Sequence, residues 1–345
     1  MLCYEHGGDL YAGPGIRLDF SVNTNPLGMP AEVERAVLEH VEDYARYPDP
    51  FCRALSKEIA ARRGVEEGMV LCGNGAADLI FRLCACLKPV RALTLAPTFS
   101  EYGRAVTLFG GVMREHLLFE EDGFALTERI LTDLTPDTDI LFLCNPNNPT
   151  GRLASPELLQ RIMDECNSKG ILLALDECFL DFTRGGSMAG QLREYPNLLI
   201  LCAFTKLYAM AGLRLGYLLC ADTALLLRIA AFGPTWSVSS VAQAAGRAAL
   251  TVPGWEERTR AFVQSERADL ARALAELGIT VFPSETNYLL LRCEAPLYER
   301  LLARGILVRP CGNFTGLNGR FLRIGLKSHE ENAALIAAVR EALHG

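Results

Sequence analysis

The strongest constraint on the fold is an alternation between residues 90 and 220. Short apolar runs, each long enough for one buried strand, are separated by amphipathic stretches. "VRALTLA", "DILFLC", "GILLALD", "NLLILCA" and "LRLGYLLC" read as strands covered on both faces. "SEYGRAVTLFG" and "SPELLQRIMDECNSKG" read as helices between them. The second carries Ser155 as N-cap, Pro156 at the first helical position and Gly170 at its stop. Strands alternating with helices predict an α/β layered domain on a largely parallel sheet. Ligands of such a sheet bind at the carboxyl ends of its strands.

The last hundred residues follow another pattern. "VPGWEERTRAFVQSERADLARALAELG" predicts one long helix. "ITVFP", "TNYLLLRC", "GILVRP" and "RFLRIGL" predict strands, and Ser328 to Glu331 form a capping-box pattern that opens a final helix. This is a smaller α+β domain. The opening segment has no core of its own and is expected to join it. A chain of 345 residues is long enough for both. The expected division is a large domain over 36–250 and a small domain over 1–35 and 251–345.

Half of the residues are hydrophobic, as in a compact protein, and the net charge is -7. That balance argues against nucleic acid or an anionic membrane as partner. A small anion remains possible through a local arginine cluster. No uninterrupted apolar run reaches the length of a membrane span. After Met1 and Leu2 the chain continues with polar "CYEHGGDLYAG", without a secretory pattern. The twelve scattered cysteines are therefore expected to be free thiols in a reducing cytoplasm. "CAC" at Cys84 to Cys86 lacks zinc-ligand spacing and the five histidines are dispersed, so no metal site is expected.

Four features fall in or just after predicted strands. "GNGAADLI", from Gly73, is a glycine turn into a helix, which exposes backbone N–H groups to an anion. "NPNNPTG", from Asn145, holds more asparagine and proline than a turn requires. Asp176 ends an apolar run in "LALDECFLDF", where an unpaired carboxylate is costly; taken alone it reads as a helix cap or surface turn. Lys206 and Arg214 stand eight residues apart in apolar "LCAFTKLYAMAGLRLGYLL". Singly they read as snorkelling side chains, yet a buried amine is costly unless neutral, paired or covalently used.

Together these residues resemble the fold-type I pyridoxal-phosphate enzymes, the class I and II aminotransferase family, across essentially the whole chain. The resemblance implies a large domain with a mostly parallel mixed sheet between helices, and a smaller α+β domain. It implies that Lys206 bonds covalently to the cofactor aldehyde and that Arg214 pairs with its phosphate. Asp176 would meet the pyridine nitrogen, and Asn148 the phenolic oxygen. Gly75 and Ala76 would offer N–H groups to the phosphate, and Tyr102, in "PTFSEY", would stack on the ring. Tyr47, in "RYPDP", would reach a neighbouring subunit's phosphate, making the enzyme a homodimer. Arg323 would bind the substrate carboxylate. A cis Asn148–Pro149 peptide is also implied. Two positions depart from the family pattern. Ala203 stands where Ser or Thr is usual, a lost donor that Thr205 could replace. Phe179 stands where Tyr is usual, so the phenolic oxygen loses a donor.

The fold hosts several reactions. "SVNTNPLG", "YPDP" and "GILVR" resemble histidinol-phosphate aminotransferases. "HGGDL", "DECFLDF", "TWSVSSVAQAAGRAAL" and "VRPCGNFTGL" more resemble L-threonine-O-3-phosphate decarboxylases of cobalamin synthesis. The decarboxylase ranks first. Both substrates are amines carrying a phosphate, a dianion that Arg309, Arg323, Asn23, and His6 with Gly7 could receive. Alone, a histidine so near a terminus reads as solvated. A non-catalytic ligand sensor of this fold ranks last, because the Lys206–Asp176–Arg214 set is intact.

Overall fold

A computed structural model of the chain describes residues 6–11 and 15–344. Its strands are β1 (Leu18–Asp19), β2 (Val70–Gly73), β3 (Arg91–Ala96), β4 (Val112–Leu117), β5 (Ile140–Cys144), β6 (Leu172–Asp176) and β7 (Leu198–Ala203). They continue as β8 (Gly216–Cys220), β9 (Thr280–Val281), β10 (Tyr288–Arg292), β11 (Ile306–Leu307), β12 (Arg309–Pro310) and β13 (Phe321–Gly325).

The main sheet has seven strands in the order β2-β8-β7-β6-β5-β3-β4. All pairs are parallel except those of β8, which runs antiparallel to β2 and β7. The five apolar runs become β3, β5, β6, β7 and β8, buried on both faces under helices. β4 is not among them. Its "VMREHL" is an edge strand, largely open to solvent, so it carries charge instead of a continuous apolar run. The helix Pro156–Lys169 starts as expected: Ser155 Oγ accepts from Leu158 N at 3.2 Å, and Gly170 ends it at φ +69.

A second, four-stranded sheet has the order β12-β13-β10-β9, antiparallel throughout. The long helix Trp255–Glu276 buries Thr259, Val263, Leu270 and Leu274 along one stripe. "GILVRP" forms two short strands instead of one, and β11 pairs in parallel with β1. The capping box forms in both directions: Glu331 N donates to Ser328 Oγ and Ser328 N to Glu331 Oε2. The opening segment joins both parts. Gly325 N donates to Phe20 O at 2.8 Å. Asn25 N donates to Lys206 O at 3.0 Å, while its Nδ2 reaches Leu207 O and Thr259 Oγ1. Among the described residues, no group of His, Cys, Asp and Glu could hold a metal. No described helix is long and apolar enough to cross a membrane. The eleven cysteines described are free, and nine are buried.

Candidate active site

The topology gathers the four sequence features at one edge of the main sheet. Cys144 ends β5 opposite Asp176, which ends β6, and Asn145 N donates to Asp176 O at 2.9 Å. β7 ends at Ala203, one short turn before Lys206. β2 ends at Gly73, opposite Gly216, which also faces Ala203. Because β8 runs antiparallel, the residues before its start lie at this same edge, and these include Arg214.

A cavity of about 130 Å³ is lined by Ala76, Ala77, Phe99, Cys144, Asn148, Asp176, Cys178, Phe179, Ala203, Thr205, Lys206 and Arg214. One wall is the start of the helix Ala76–Leu87, where no side chain caps the first N–H groups. Close backbone approach there requires glycine. At Gly75 (φ +83) a Cβ would stand 2.6 Å from Arg214 Nη2, and at Gly216 one would stand 2.6 Å from Ala76 N. Arg214 itself sits at φ +59 and donates to Ala211 O.

Asp176 is buried and fixed on both oxygens. Tyr102 Oη donates to Oδ2 at 2.5 Å, and Cys178 N donates to Oδ1 at 2.9 Å. Burial pushes the Lys206 amine down to about 8, with the positive charge of Arg323 the next cause. Its Nζ lies 5.5 Å from the Phe179 ring centroid. Of the three asparagines, two hold the turn. Asn145 Oδ1 accepts from Ala154 N, and Asn147 joins Thr98, Pro97 and Thr150. Asn148 is left for the cavity, and Asn148–Pro149 is cis.

A second cavity, about 440 Å³, opens onto the same lysine. Lys206, Arg214, Asn148, Ala77 and Phe99 line both. Its other walls include His6, Gly7, Asn23, Glu101, Arg104, Arg309 and Arg323. Arg309 and Arg323 are buried and directly opposite on β12 and β13. Arg323 donates to Asn148 Oδ1 at 2.5 Å and to Ser21 O at 2.8 Å. Arg309 donates to Pro310 O and Asn313 Oδ1. Among the described residues, buried Asn23 Nδ2 and Arg323 Nε have no hydrogen-bond partner, as expected of groups that await a ligand.

One expectation needs correction. Tyr102 does not face the cavity. Its ring is 0 % exposed, stacked on Phe142 at 5.2 Å, and its hydroxyl is spent on Asp176. The aromatic that lines the cavity is Phe99, three residues earlier in "PTFSEY". The physical reason is local. Tyr102 lies in the first turn of the helix Glu101–Leu108, on its buried face, whereas Phe99 precedes that helix. Tyr47, expected to reach a neighbouring subunit's phosphate, lies outside the cavity of its own chain. It is 80 % exposed, stacks on Trp236 at 4.3 Å, and lines a separate concavity of about 520 Å³ with His40, Arg46 and Arg247. That concavity is larger but contains none of the groups around Lys206. Sequence reading also missed Glu101 and Arg104, for which it gave no signal beyond ordinary helix surface.

These residues fit pyridoxal phosphate. The uncapped helix start, Thr205 and Arg214 suit a phosphate, and a carboxylate and a low-pKa amine stand on the walls of the same cavity. The sequence model of the family described as aminotransferase class I and II matches residues 16–339. The threonine-phosphate decarboxylase of Salmonella typhimurium is 42% identical over 99% of this chain and 97% of its own length. The histidinol-phosphate aminotransferase of Clostridium acetobutylicum superposes with a TM-score of 0.89 at 28% identity, over 95% of this chain and 99% of that one. The L-threonine-O-3-phosphate decarboxylase of Porphyromonas gingivalis gives 0.85 at 26% identity, over 95% and 100%. By sequence and by fold, the chain belongs to the class I and II aminotransferases, the pyridoxal-phosphate enzymes of fold type I.

Proposed function

We propose that this chain decarboxylates L-threonine O-3-phosphate to (R)-1-amino-2-propanol O-2-phosphate, as a cytoplasmic homodimer serving cobalamin synthesis. The observation that carries the reading is the pair of buried arginines, Arg309 opposite Arg323, on the cavity that shares Lys206. Two guanidiniums in one small cavity suit a substrate with two anionic ends, here a carboxylate and a phosphate ester. The similarity to the Salmonella typhimurium decarboxylase supports the same choice. In this reading residues 36–250 hold the cofactor, and 1–35 with 251–345 form the smaller domain.

Bound pyridoxal phosphate supplies an electron sink for the bond broken at the substrate's α-carbon. The chain's own groups do the rest. Ala76, Gly75, Thr205 and Arg214 would hold the cofactor phosphate. Asp176, gripped by Tyr102 and Cys178, would keep a proton at the ring nitrogen, and Asn148 would take the phenolic oxygen. Phe99, which lines the cavity, would cover the ring, the role first expected of Tyr102. Arg309, with Asn23, His6 and Gly7, receives the phosphate ester, and Arg323 orients the carboxylate. Lys206, with an amine near 8, exchanges protons close to neutral pH, and once carbon dioxide leaves it donates one to the α-carbon. Tyr47 acts across the dimer, on the other subunit's cofactor phosphate.

A second reading, histidinol-phosphate aminotransferase with 2-oxoglutarate, draws on the TM-score of 0.89 to the Clostridium acetobutylicum enzyme. One experiment separates the two. The holoenzyme is incubated with L-threonine phosphate, and separately with histidinol phosphate plus 2-oxoglutarate, and products are identified by mass. Carbon dioxide and aminopropanol phosphate are expected from the first. Glutamate from the second, with no carbon dioxide from the first, replaces the decarboxylase reading.

A further inference from the structure

The larger cavity contains a group of the wrong sign. Glu101 is only 7 % exposed, yet it lines a space that Arg309 and Arg323 fit for anions. A bare carboxylate there would repel a phosphorylated substrate. It is not bare. Arg104, one turn on, approaches Oε2 at 3.2 Å, and His6, ninety-five residues away in sequence, meets Oε1 through Nε2 at 2.8 Å. The His6 hydrogen bond is the main cause holding the Glu101 carboxyl below its ordinary range, so the carboxylate stays charged at neutral pH.

The contact with His6 begins a chain of contacts around the rim. The His6 ring lies 5.8 Å from Phe99, which lines both cavities. The next residues are laid on Ser21: Gly8 N donates to Ser21 Oγ at 2.7 Å, and a Cβ at Gly7 would stand 2.2 Å from Ser21 O. That same Ser21 carbonyl receives Arg323 Nη2. Glu101 thus anchors one end of residues 6–8, and Ser21 anchors the other, next to the arginine that faces the substrate.

We propose that Glu101 is a positioning residue. Acting through His6, it holds residues 6–8 across the cavity mouth, over the phosphate end of the substrate. The assignment rests on the phosphorylated substrate proposed above. Its charge does not oppose the substrate, because Arg104 offsets it; its function is to place the imidazole and the Gly7–Gly8 backbone.

The test compares Glu101→Ala, Glu101→Gln, His6→Ala and Glu101→Ala/His6→Ala as holoenzymes. Glu101→Ala should raise KM for L-threonine phosphate by about tenfold, with a smaller change in kcat, since a hydrogen bond to a charged group is lost. Glu101→Gln keeps an acceptor for His6 Nε2 and should recover most of the loss. Adding Glu101→Ala to His6→Ala should cost little more, because the two act as one unit. Hydrogen exchange of the peptide containing Gly8, read without substrate, should speed up in Glu101→Ala and stay near wild type in Glu101→Gln. Unchanged exchange in Glu101→Ala overturns the proposal, and so do additive effects of the two substitutions. If the wild type does not turn over threonine phosphate, the functional reading fails separately. The KM comparison then moves to histidinol phosphate, while the exchange result still decides whether Glu101 holds the segment.

Discussion

Tyr102→Phe separates two roles for one side chain. If Tyr102 stacked on the cofactor, the substitution would change little, because phenylalanine keeps the ring. In the structure the ring packs on Phe142 at 5.2 Å and edge-on to Phe99 at 5.5 Å, and phenylalanine preserves both contacts. Only the hydroxyl goes, and with it the 2.5 Å donation to Asp176 Oδ2. Asp176 keeps its bond from Cys178 N on the other oxygen. A hydrogen bond to a charged group contributes about 1.5–3 kcal/mol. At about 1.4 kcal/mol per decade, cofactor affinity should fall by roughly ten- to hundredfold. The carboxylate that would hold the ring-nitrogen proton is then fixed on one oxygen only. The assay is an absorbance titration of apoenzyme with pyridoxal phosphate. Equal dissociation constants for Tyr102→Phe and wild type, with a large loss only in Tyr102→Ala, would refute the positioning role and restore stacking.

Four further outcomes follow from the same geometry. Covalent capture of pyridoxal phosphate by Lys206, trapped with borohydride and located by peptide mass, should rise as pH increases through about 8, because the amine loses its proton there; a surface lysine would respond nearer its ordinary value of 10.5. Arg309→Ala should weaken binding of threonine phosphate by roughly ten- to hundredfold, and leave the poor binding of unphosphorylated threonine almost unaltered; equal losses for both would show that Arg309 does not read the phosphate. Gly75→Ala should loosen the cofactor, since its Cβ would meet Arg214 Nη2 at 2.6 Å and the φ of +83 disfavours alanine; dialysis retaining full absorbance would contradict this. Tyr47→Phe should also weaken cofactor retention, with sedimentation giving a dimer; an active monomer at assay concentration would remove the shared-site reading.

Much of the site was legible in the sequence because its chemistry is local. Asp176 ends a strand, Lys206 and Asn148 follow strands within a few residues and Arg214 shortly precedes one, and strands buried on both faces are visible as apolar runs. A charged residue at the end of such a run is conspicuous because leaving it unpaired would cost several kcal/mol in a dry sheet, by about the penalty for an unsatisfied buried polar group. β4 escaped for the converse reason: at the sheet edge one face meets water, and arginine, glutamate and histidine break the run.

By itself the sequence determined the layered α/β fold, the cofactor class, and which lysine, aspartate and arginine meet at the strand ends. The tertiary structure alone decided which aromatic of "PTFSEY" faces the cavity, because Tyr102 lies on the buried face of the helix Glu101–Leu108 while Phe99 lies in the loop before it. It also decided that Arg309 and Arg323 stand side by side, through the register of β12 on β13, and that His6 reaches Glu101. Those pairs lie far apart along the chain. Their proximity follows from how strands and segments pack on one another, and composition and local spacing do not encode that distance.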